Sequence, residues 1–378
     1  MKVTGIIVEY NPFHYGHIHH ITETKKLTQC DVLIAVMSSH FTQRGEPSII
    51  DKWQRTRFAL NYGVDLVIEL PFHYAFQSAD YFAHGALTLL NAMHIDTLVY
   101  GSESNDASHL MNIASYLQIH NDVYSQLVKE AMQKGSRYPT ACNEAIHTLL
   151  GHEIRLPNDL LAFSYIKEII ANNYPITPMS IERTNSFHDQ QLQQHISSAT
   201  SIRKSIKEHM DITQATPMAK ELLESPVFFD DFFDLLSYEL LTNDHLEDYH
   251  LVEEGIDRLM QKNIIQANSM DEFVQSLTSK RYTQARIQRT ILSILINHPK
   301  GLLDIDYIRL LGMTQKGRQY LNQVKKNISL PIITHYSPHT SPLLDLEFKA
   351  TKLYSQALPI DKRREMIEKE YKSFPIMI

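Results

Sequence analysis

Five short runs of nearly continuous apolar character recur along the first half of the chain: "VTGIIVEY" (3–10), "DVLIAVM" (31–37), "VDLVIEL" (64–70), "DTLVYG" (96–101) and "TPMSIER" (177–183). Between them lie segments with apolar positions at i, i+3 and i+4, such as "DKWQRTRFALNYG" and "SADYFAHGALTLLNAM". Strands and helices in this order predict a parallel sheet with helices on both faces, and runs that are apolar throughout suit strands covered on both sides. After about residue 215 the strand pattern fades. Helical spacing then continues through about residue 328, with a brief strand candidate at "LPIITHY". The expectation is an α/β fold: a Rossmann-like parallel-sheet domain over 1–215 followed by a mainly helical domain over 216–378. No repeat, low-complexity tract or glycine-rich linker sharpens the boundary.

Length and composition agree with two domains. The chain has 378 residues and 43% hydrophobic content, above the roughly 250–300 residues at which single cores tend to split. The opening "MKVTGIIVEYNP" lacks the charged start and apolar core of a secretory signal, and no apolar run approaches the roughly 20 residues that span a bilayer. A cytoplasmic protein without a membrane segment is expected. Cys30 and Cys142 form neither a disulfide framework nor a zinc pair, so both are read as core residues in a reducing compartment.

A formal net charge of −7 argues against nonspecific nucleic-acid binding through bulk electrostatics, but its distribution is uneven. Glu221 to Asp257 carries twelve acidic residues and no Lys or Arg. Lys280 to Lys326 reverses this, with Lys280, Arg281, Arg286, Arg289, Lys300, Arg309, Lys316, Arg318, Lys325 and Lys326 against only Asp304 and Asp306. The asymmetry suggests a basic face on an otherwise acidic protein; two solvated helical surfaces of opposite sign are the plainer alternative.

The densest chemistry sits just after the first strand, in "EYNPFHYGHIHH" (9–20). Four histidines invite a zinc reading, yet no HExxH is present and nothing nearby completes a coordination sphere, so no metal site is assigned. Position offers more. Asn11-Pro12 begins a turn at the end of a strand, Gly16 permits close backbone approach, and a helix starts nearby; in open α/β sheets ligands sit beyond the strand C-termini, where a helix N-terminus attracts phosphate. His14 and His17 would face the anion, with His19 and His20 left to helix surface or packing.

"NPFHYGH" resembles the HxGH signature of the nucleotidyltransferase superfamily, and "ISSATSIR" (196–203) looks like that family's later phosphate-binding motif. Ser and Thr there can cap a helix whose free N–H groups point at phosphate, and Arg203 can neutralise charge on a pyrophosphate leaving group. "SSHFTQRGEPSIIDKWQRTRFALNYGVDLVIELPF", "YGSES", "LPNDLLAFSYIK" and "RYTQARIQRTIL" narrow the resemblance, over essentially the whole chain, to the bacterial tRNA(Met) cytidine acetate ligase family. One departure is Ser39-His40, where the family has a glycine-asparagine pair.

The resemblance implies an ATP-dependent ligase, AMP- and pyrophosphate-forming, that makes acetyl-adenylate from acetate and ATP and transfers the acetyl group to N4 of the wobble cytidine of elongator tRNA(Met). It implies Mg2+ with the ATP and no acetyl-CoA. His14, His17 and Arg203 would act in catalysis. ATP contacts would come from Ile7, Val8, Glu9, Tyr10, Asn11, Pro12, Phe13, His14, Gly16, His17, His20, Gly101, Asn158, Arg183, Ser198 and Thr200. In the loop "TQRGEPSIIDKW", which also carries Glu46 and Lys52, Arg44 is the candidate for acetate, pyrophosphate or tRNA. Arg281, Arg286, Arg289, Lys316 and Arg318 are the candidate tRNA contacts, with Tyr282 and Tyr320 as aromatic residues among them; Tyr282 reads equally as core. The alternative is a small-molecule nucleotidyltransferase without an RNA substrate.

Overall fold

The computed structural model describes residues 1–183, 198–279, 281–301 and 303–378. The five expected strands form: β1 (Val3–Val8), β2 (Val32–Ser38), β3 (Leu66–Leu70), β4 (Thr97–Ser102) and β5 (Thr177–Glu182). They lie parallel in the order β5-β4-β1-β2-β3, so the chain starts mid-sheet and winds outward both ways. The point where that winding reverses, beside β1, is where such sheets leave a crevice for ligands.

Successive strand residues feed two different apolar layers, as the two-residue period of a strand requires. In β2, Leu33, Ala35 and Met37 enter one layer and Val32, Ile34 and Val36 the other. The second layer is completed by helices between residues 79 and 171. The first is completed largely from the other half of the chain: Ile202, Phe232, Phe273, Ile291 and Tyr354 belong to the same cluster as Ile6 and Leu33. What changes near residue 215 is therefore the kind of secondary structure; the apolar layer runs on unbroken.

One element corrects the sequence reading. The segment Ile308–Met313, taken as helical, is a strand, β6, antiparallel to β3. Every one of its six positions is buried, and a short run buried on both sides carries no period by which to separate helix from strand. β7 (Ile332–Ile333), within the "LPIITHY" run, and β8 (Ile376–Met377) both pair parallel to β6.

A closed charge network stitches β6 to the rest and corrects two further assignments. Lys52, read as part of a ligand-facing loop, is fully buried; its Nζ lies 2.7 Å from Glu370 Oε1 and also donates to Glu69. Arg309, counted in the basic face, is buried too, with Nη1 3.2 Å from Glu69 and Nη2 donating to Glu370. Burial alone would raise the Glu370 carboxyl, but Arg309 and Lys52 hold it far below its usual range. Glu347, which accepts from Phe72 N at 2.6 Å, is pushed up to about 7 by burial and by Glu69. Desolvated charges persist only with such pairing.

The Ser39-His40 departure sits against this network. His40 is buried and stacks on Tyr354 with ring centroids 4.5 Å apart, while Arg55 donates to the carbonyls of Ser38 and Ser39.

Candidate active site

Beyond the C-terminus of β1 the backbone turns sharply. Tyr10 takes a left-handed φ of 52°, the Asn11-Pro12 bond is cis, and helix α1 (Tyr15–Thr28) begins at once. The side chains of Val8, Tyr10 and Phe13 enter the core, and Phe13 packs against Tyr10, His17, Phe58 and Tyr62. Ile7 packs against the opposite layer. What this stretch can offer a ligand is mainly backbone.

His14 is the N-cap of α1. Its Nδ1 accepts from Gly16 N at 3.0 Å, and His17 Nδ1 accepts from His14 N at 3.1 Å, with the two rings 3.7 Å apart. This is the reciprocal logic of a capping box, performed by imidazoles in place of hydroxyl and carboxylate. It has a chemical consequence. A ring nitrogen that accepts an N–H carries no proton, so in the neutral ring the proton is on Nε2. Burial is the first cause that holds the rings neutral, and the nearby Arg183 cation adds to it: His14 is lowered to about 3, His20 to about 4, and His17 well below its usual range. His14 and His17 are thus fixed as uncharged Nε2–H donors. Among the described residues, His20 Nε2 is buried without a hydrogen-bond partner, so His20 belongs with this group, while His19 is exposed.

Two arginines and two loops close around this turn. Ser198 caps the helix Ala199–Lys207, accepting from Ser201 N at 3.0 Å; Thr200 is exposed in its first turn, and Ile202 is buried. One turn on, Arg203 Nη1 donates to Asn11 O at 2.7 Å, which brings the second motif onto the first across the sheet. Ile196 and Ser197 of that motif lie outside the described residues.

Opposite, Gly101 stands at the end of β4; a Cβ there would come within 3.2 Å of the Arg183 stem. Asn158 Oδ1 faces Arg183 Nη1 at 3.5 Å, and Asn158 Nδ2 donates to Glu103 Oε1 at 2.6 Å. Glu103 also accepts from the backbone N of Asn158 and Asp159, so it fixes the start of the helix Pro157–Ala171. Nothing within "YGSES" alone marks Glu103 for this role, since its partners come from the start of another helix.

The loop after β2 is anchored to the same turn. Gln43 N donates to Glu9 Oε1 at 2.6 Å, and Ile49 N donates to Asn11 Oδ1 at 2.7 Å. Burial raises the Glu9 carboxyl, opposed by the Gln43 N–H and by Arg44, Arg55 and Arg203. Arg44 is exposed on this loop, and Glu46 lies 3.5 Å from Arg203 Nη2.

The candidate tRNA contacts do not converge on one surface. Arg286 and Arg289 lie on the helix Gln284–Leu295, beside the loop after β2. Arg281 pairs with Glu254 at 2.8 Å and Arg286 with Glu253 at 3.9 Å, so the end of the acidic stretch partly neutralises the start of the basic one. Lys280 lies outside the described residues. Lys316 and Arg318 are exposed on the helix Gln315–Val324, which starts where Thr314 N donates to Asp65 O, at the N-terminal ends of β2 and β3. That is the opposite edge of the sheet from His14. Tyr282 and Tyr320 are both buried, with the Tyr320 hydroxyl donating to Met93 O.

Among the described residues no group of three or more His, Cys, Asp or Glu side chains could hold a metal ion, and no helix is long and apolar enough to cross a membrane. Cys30 and Cys142 are both free and half-buried.

Comparisons with known proteins bear on the family and the fold. The family model described as HIGH Nucleotidyl Transferase matches residues 1–370. The tRNA(Met) cytidine acetate ligase of Bacillus subtilis is 39% identical over 100% of this chain and 97% of its own length. That of Listeria monocytogenes is 41% identical over 94% and 95%. The crystal structure of Thermotoga maritima TmcAL in apo form superposes with a TM-score of 0.92 at 33% identity, and the one bound with alpha-thio ATP with 0.89 at 32%, each covering the whole of both chains. With 37–39% identity to further relatives of the same name and a HIGH Nucleotidyl Transferase family match over nearly its full length, this chain belongs to the tRNA(Met) cytidine acetate ligase family.

Proposed function

We propose that this protein activates acetate with ATP and transfers the acetyl group to N4 of the wobble cytidine of elongator tRNA(Met). The observation that carries the reading is the pair of neutral imidazoles at the mouth of α1, each with Nδ1 committed to a backbone N–H and Nε2–H left to donate. Acetate is already a nucleophile at neutral pH, so the first step calls for no strong base. An acetate oxygen attacks the α-phosphorus, the bond to the bridging oxygen of the β-phosphate breaks, and pyrophosphate leaves with that electron pair. His14 and His17 donate to the phosphate oxygens, and Arg203 with the positive end of the α1 dipole meets the charge that gathers on the leaving group.

Gly101, Asn158 and Arg183 flank the nucleoside side of the crevice. Ser198 and Thr200 place a second helix N-terminus toward the phosphates, and the backbone turn from Glu9 to Gly16 supplies shape. Mg2+ would accompany the ATP, its charge offsetting that of the phosphates. In the second step the N4 amine attacks the acetyl carbonyl carbon, AMP leaves, and a proton is released; no acetyl-CoA takes part.

The helices of 216–378 are assigned the tRNA, with Arg281, Arg286 and Arg289 on the site's own edge of the sheet. Lys316 and Arg318, on the opposite edge, reach only a more distant part of a long RNA. A cytoplasmic location follows from the substrate. Incubation with ATP, labelled acetate and total tRNA, followed by mass spectrometry of the nucleosides, tests the reading directly. Acetate-dependent N4-acetylcytidine in tRNA(Met) is expected; an adenylylated small molecule with no modified RNA would overturn it. Replacing Arg281, Arg286 and Arg289 by alanine should weaken tRNA binding and flatten its salt dependence by roughly 0.7–0.9 per lost phosphate contact in log–log slope.

A further inference from the structure

The loop after β2 does more than border the crevice. It is pinned on one side to the histidine turn by Gln43 N to Glu9 and Ile49 N to Asn11, and it is closed on itself by Thr42 N to Glu46 O at 2.9 Å and Gly45 N to Thr42 O at 2.9 Å. Its tip rests on the helix Gln284–Leu295. Gly45 has φ +83°, and a Cβ there would lie 2.6 Å from Arg289 N and 2.8 Å from Gln288 C. Only glycine allows backbone to meet backbone so closely with that dihedral.

The next residue, Glu46, faces both ways. One carboxylate oxygen lies 3.5 Å from Arg203 Nη2, and the other accepts from Gln288 Nε2 at 3.3 Å. Gln288 is 6% exposed, a buried amide committed to this contact.

From this geometry we propose that Glu46 is a positioning residue: it aims the Arg203 guanidinium at the leaving group, and Gln288 aims Glu46. The inference deepens the acetate-ligase reading and rests on it for the role of Arg203. An arginine has a long stem with much rotamer freedom, and Asn11 O fixes only one of its two Nη groups. The second anchor sets the plane of the fork, which decides whether two donors reach a phosphate together. Arg203 and Glu46 are about a quarter exposed, so the pair adds little to stability; its effect is on orientation.

Gln288→Ala is the sharpest probe, because it changes no charge and touches Arg203 only through Glu46. In acetate-dependent ATP–pyrophosphate exchange without tRNA, about a three-fold fall in kcat is expected for Gln288→Ala and about ten-fold for Glu46→Gln. KM for ATP should stay within two-fold, with rates read per folded molecule because Gln288→Ala empties a buried site. Pyrophosphate binding measured by calorimetry should weaken in parallel, although loss of a negative charge alone would tighten it. In an Arg203→Ala background neither substitution should have any further effect, since residues acting through one group are not additive.

Full additivity with Arg203→Ala, wild-type exchange by Glu46→Gln, or tighter pyrophosphate binding would each overturn the assignment. Should the wild type show no acetate-dependent exchange while the pyrophosphate cycle is non-additive, the acetate reading falls and the positioning role stands.

Discussion

Two groups of buried and half-buried histidines can be set side by side in this molecule. His14, His17 and His20 stand at the mouth of α1; His73, His250 and His298 lie between the end of β3 and the C-terminal helices. Burial is the leading cause that depresses all six, with His73 lowered to about 4 and His298 to about 3. Protonation energetics alone would not tell the groups apart. Hydrogen-bond accounting does.

In the second group a chain runs from end to end: Leu303 N–H donates to His73 Nε2, His73 Nδ1 meets His298 Nε2 at 2.9 Å, and His298 Nδ1 donates to Pro299 O at 2.7 Å. A single tautomer of each ring satisfies every link. His250 Nε2 in turn meets Gln77 Oε1 at 3.2 Å. In the first group the Nδ1 atoms of His14 and His17 are spent on the backbone, and among the described residues no hydrogen bond engages their Nε2 atoms. A buried polar group with nothing left to offer serves the fold. One held rigid with a donor still to spend serves a ligand.

The largest expected difference is in catalysis. His14→Ala or His17→Ala should lower acetate-dependent pyrophosphate exchange by about 10²–10³, the usual loss when one such donor is removed. Each also loses a cap, which costs about 1 kcal/mol of stability, so the rate is to be read on samples shown to be folded by their melting curves. Wild-type exchange by a folded His14→Ala, His17→Ala double variant would dissolve the contrast between the groups.

The complementary substitution, His298→Ala, should leave kcat and KM per folded molecule unchanged. It strands His73 Nδ1 and opens a cavity, at a cost of about 2–4 kcal/mol in chemical denaturation. A rate defect larger than the folded fraction explains would show that the closed chain also serves the site.

The smallest effect near neutral pH is the acid dependence. In both groups the folded pKa lies below the roughly 6.5 of an unfolded histidine, so the unfolded chain takes up protons first on acidification. The stability contributed by the neutral rings is full above about pH 6.5 and declines as pH falls toward about 4. Melting temperature should follow that slope, while kcat/KM for ATP should show no enzyme histidine inflection between pH 6.5 and 8. An inflection there would mean that His14 or His17 titrates in the free enzyme.

Much of this was legible in the chain. The strands β1 to β5 announced themselves by apolar runs, and the turn at Asn11 to His17 by its place after the first of them. What stayed hidden required partners distant in sequence. Nothing local marks Lys52 as interior, because its carboxylates come from Glu69 and from Glu370 near the C-terminus. Tyr320 reads as available for stacking on bases, and Tyr282 as either that or core, because burial of a tyrosine is decided by what packs over it. His20 was split between helix surface and ligand contact for the same reason: its Nε2 is enclosed by the fold. Glu46 could be read only as a polar loop residue until the helix of Gln288 was seen beneath it.

The antiparallel seam between β3 and β6 bears on how this protein can be cut. An excised piece ending near residue 215 would keep the histidine turn and Arg203, yet β3 would become a bare sheet margin of five buried residues, "LVIEL", with its outward N–H and C=O groups unpaired. Such a margin invites pairing with another copy, so the fragment would tend to clump. The nucleotide half has its chemistry within its own sequence but borrows its solubility from the last third of the chain.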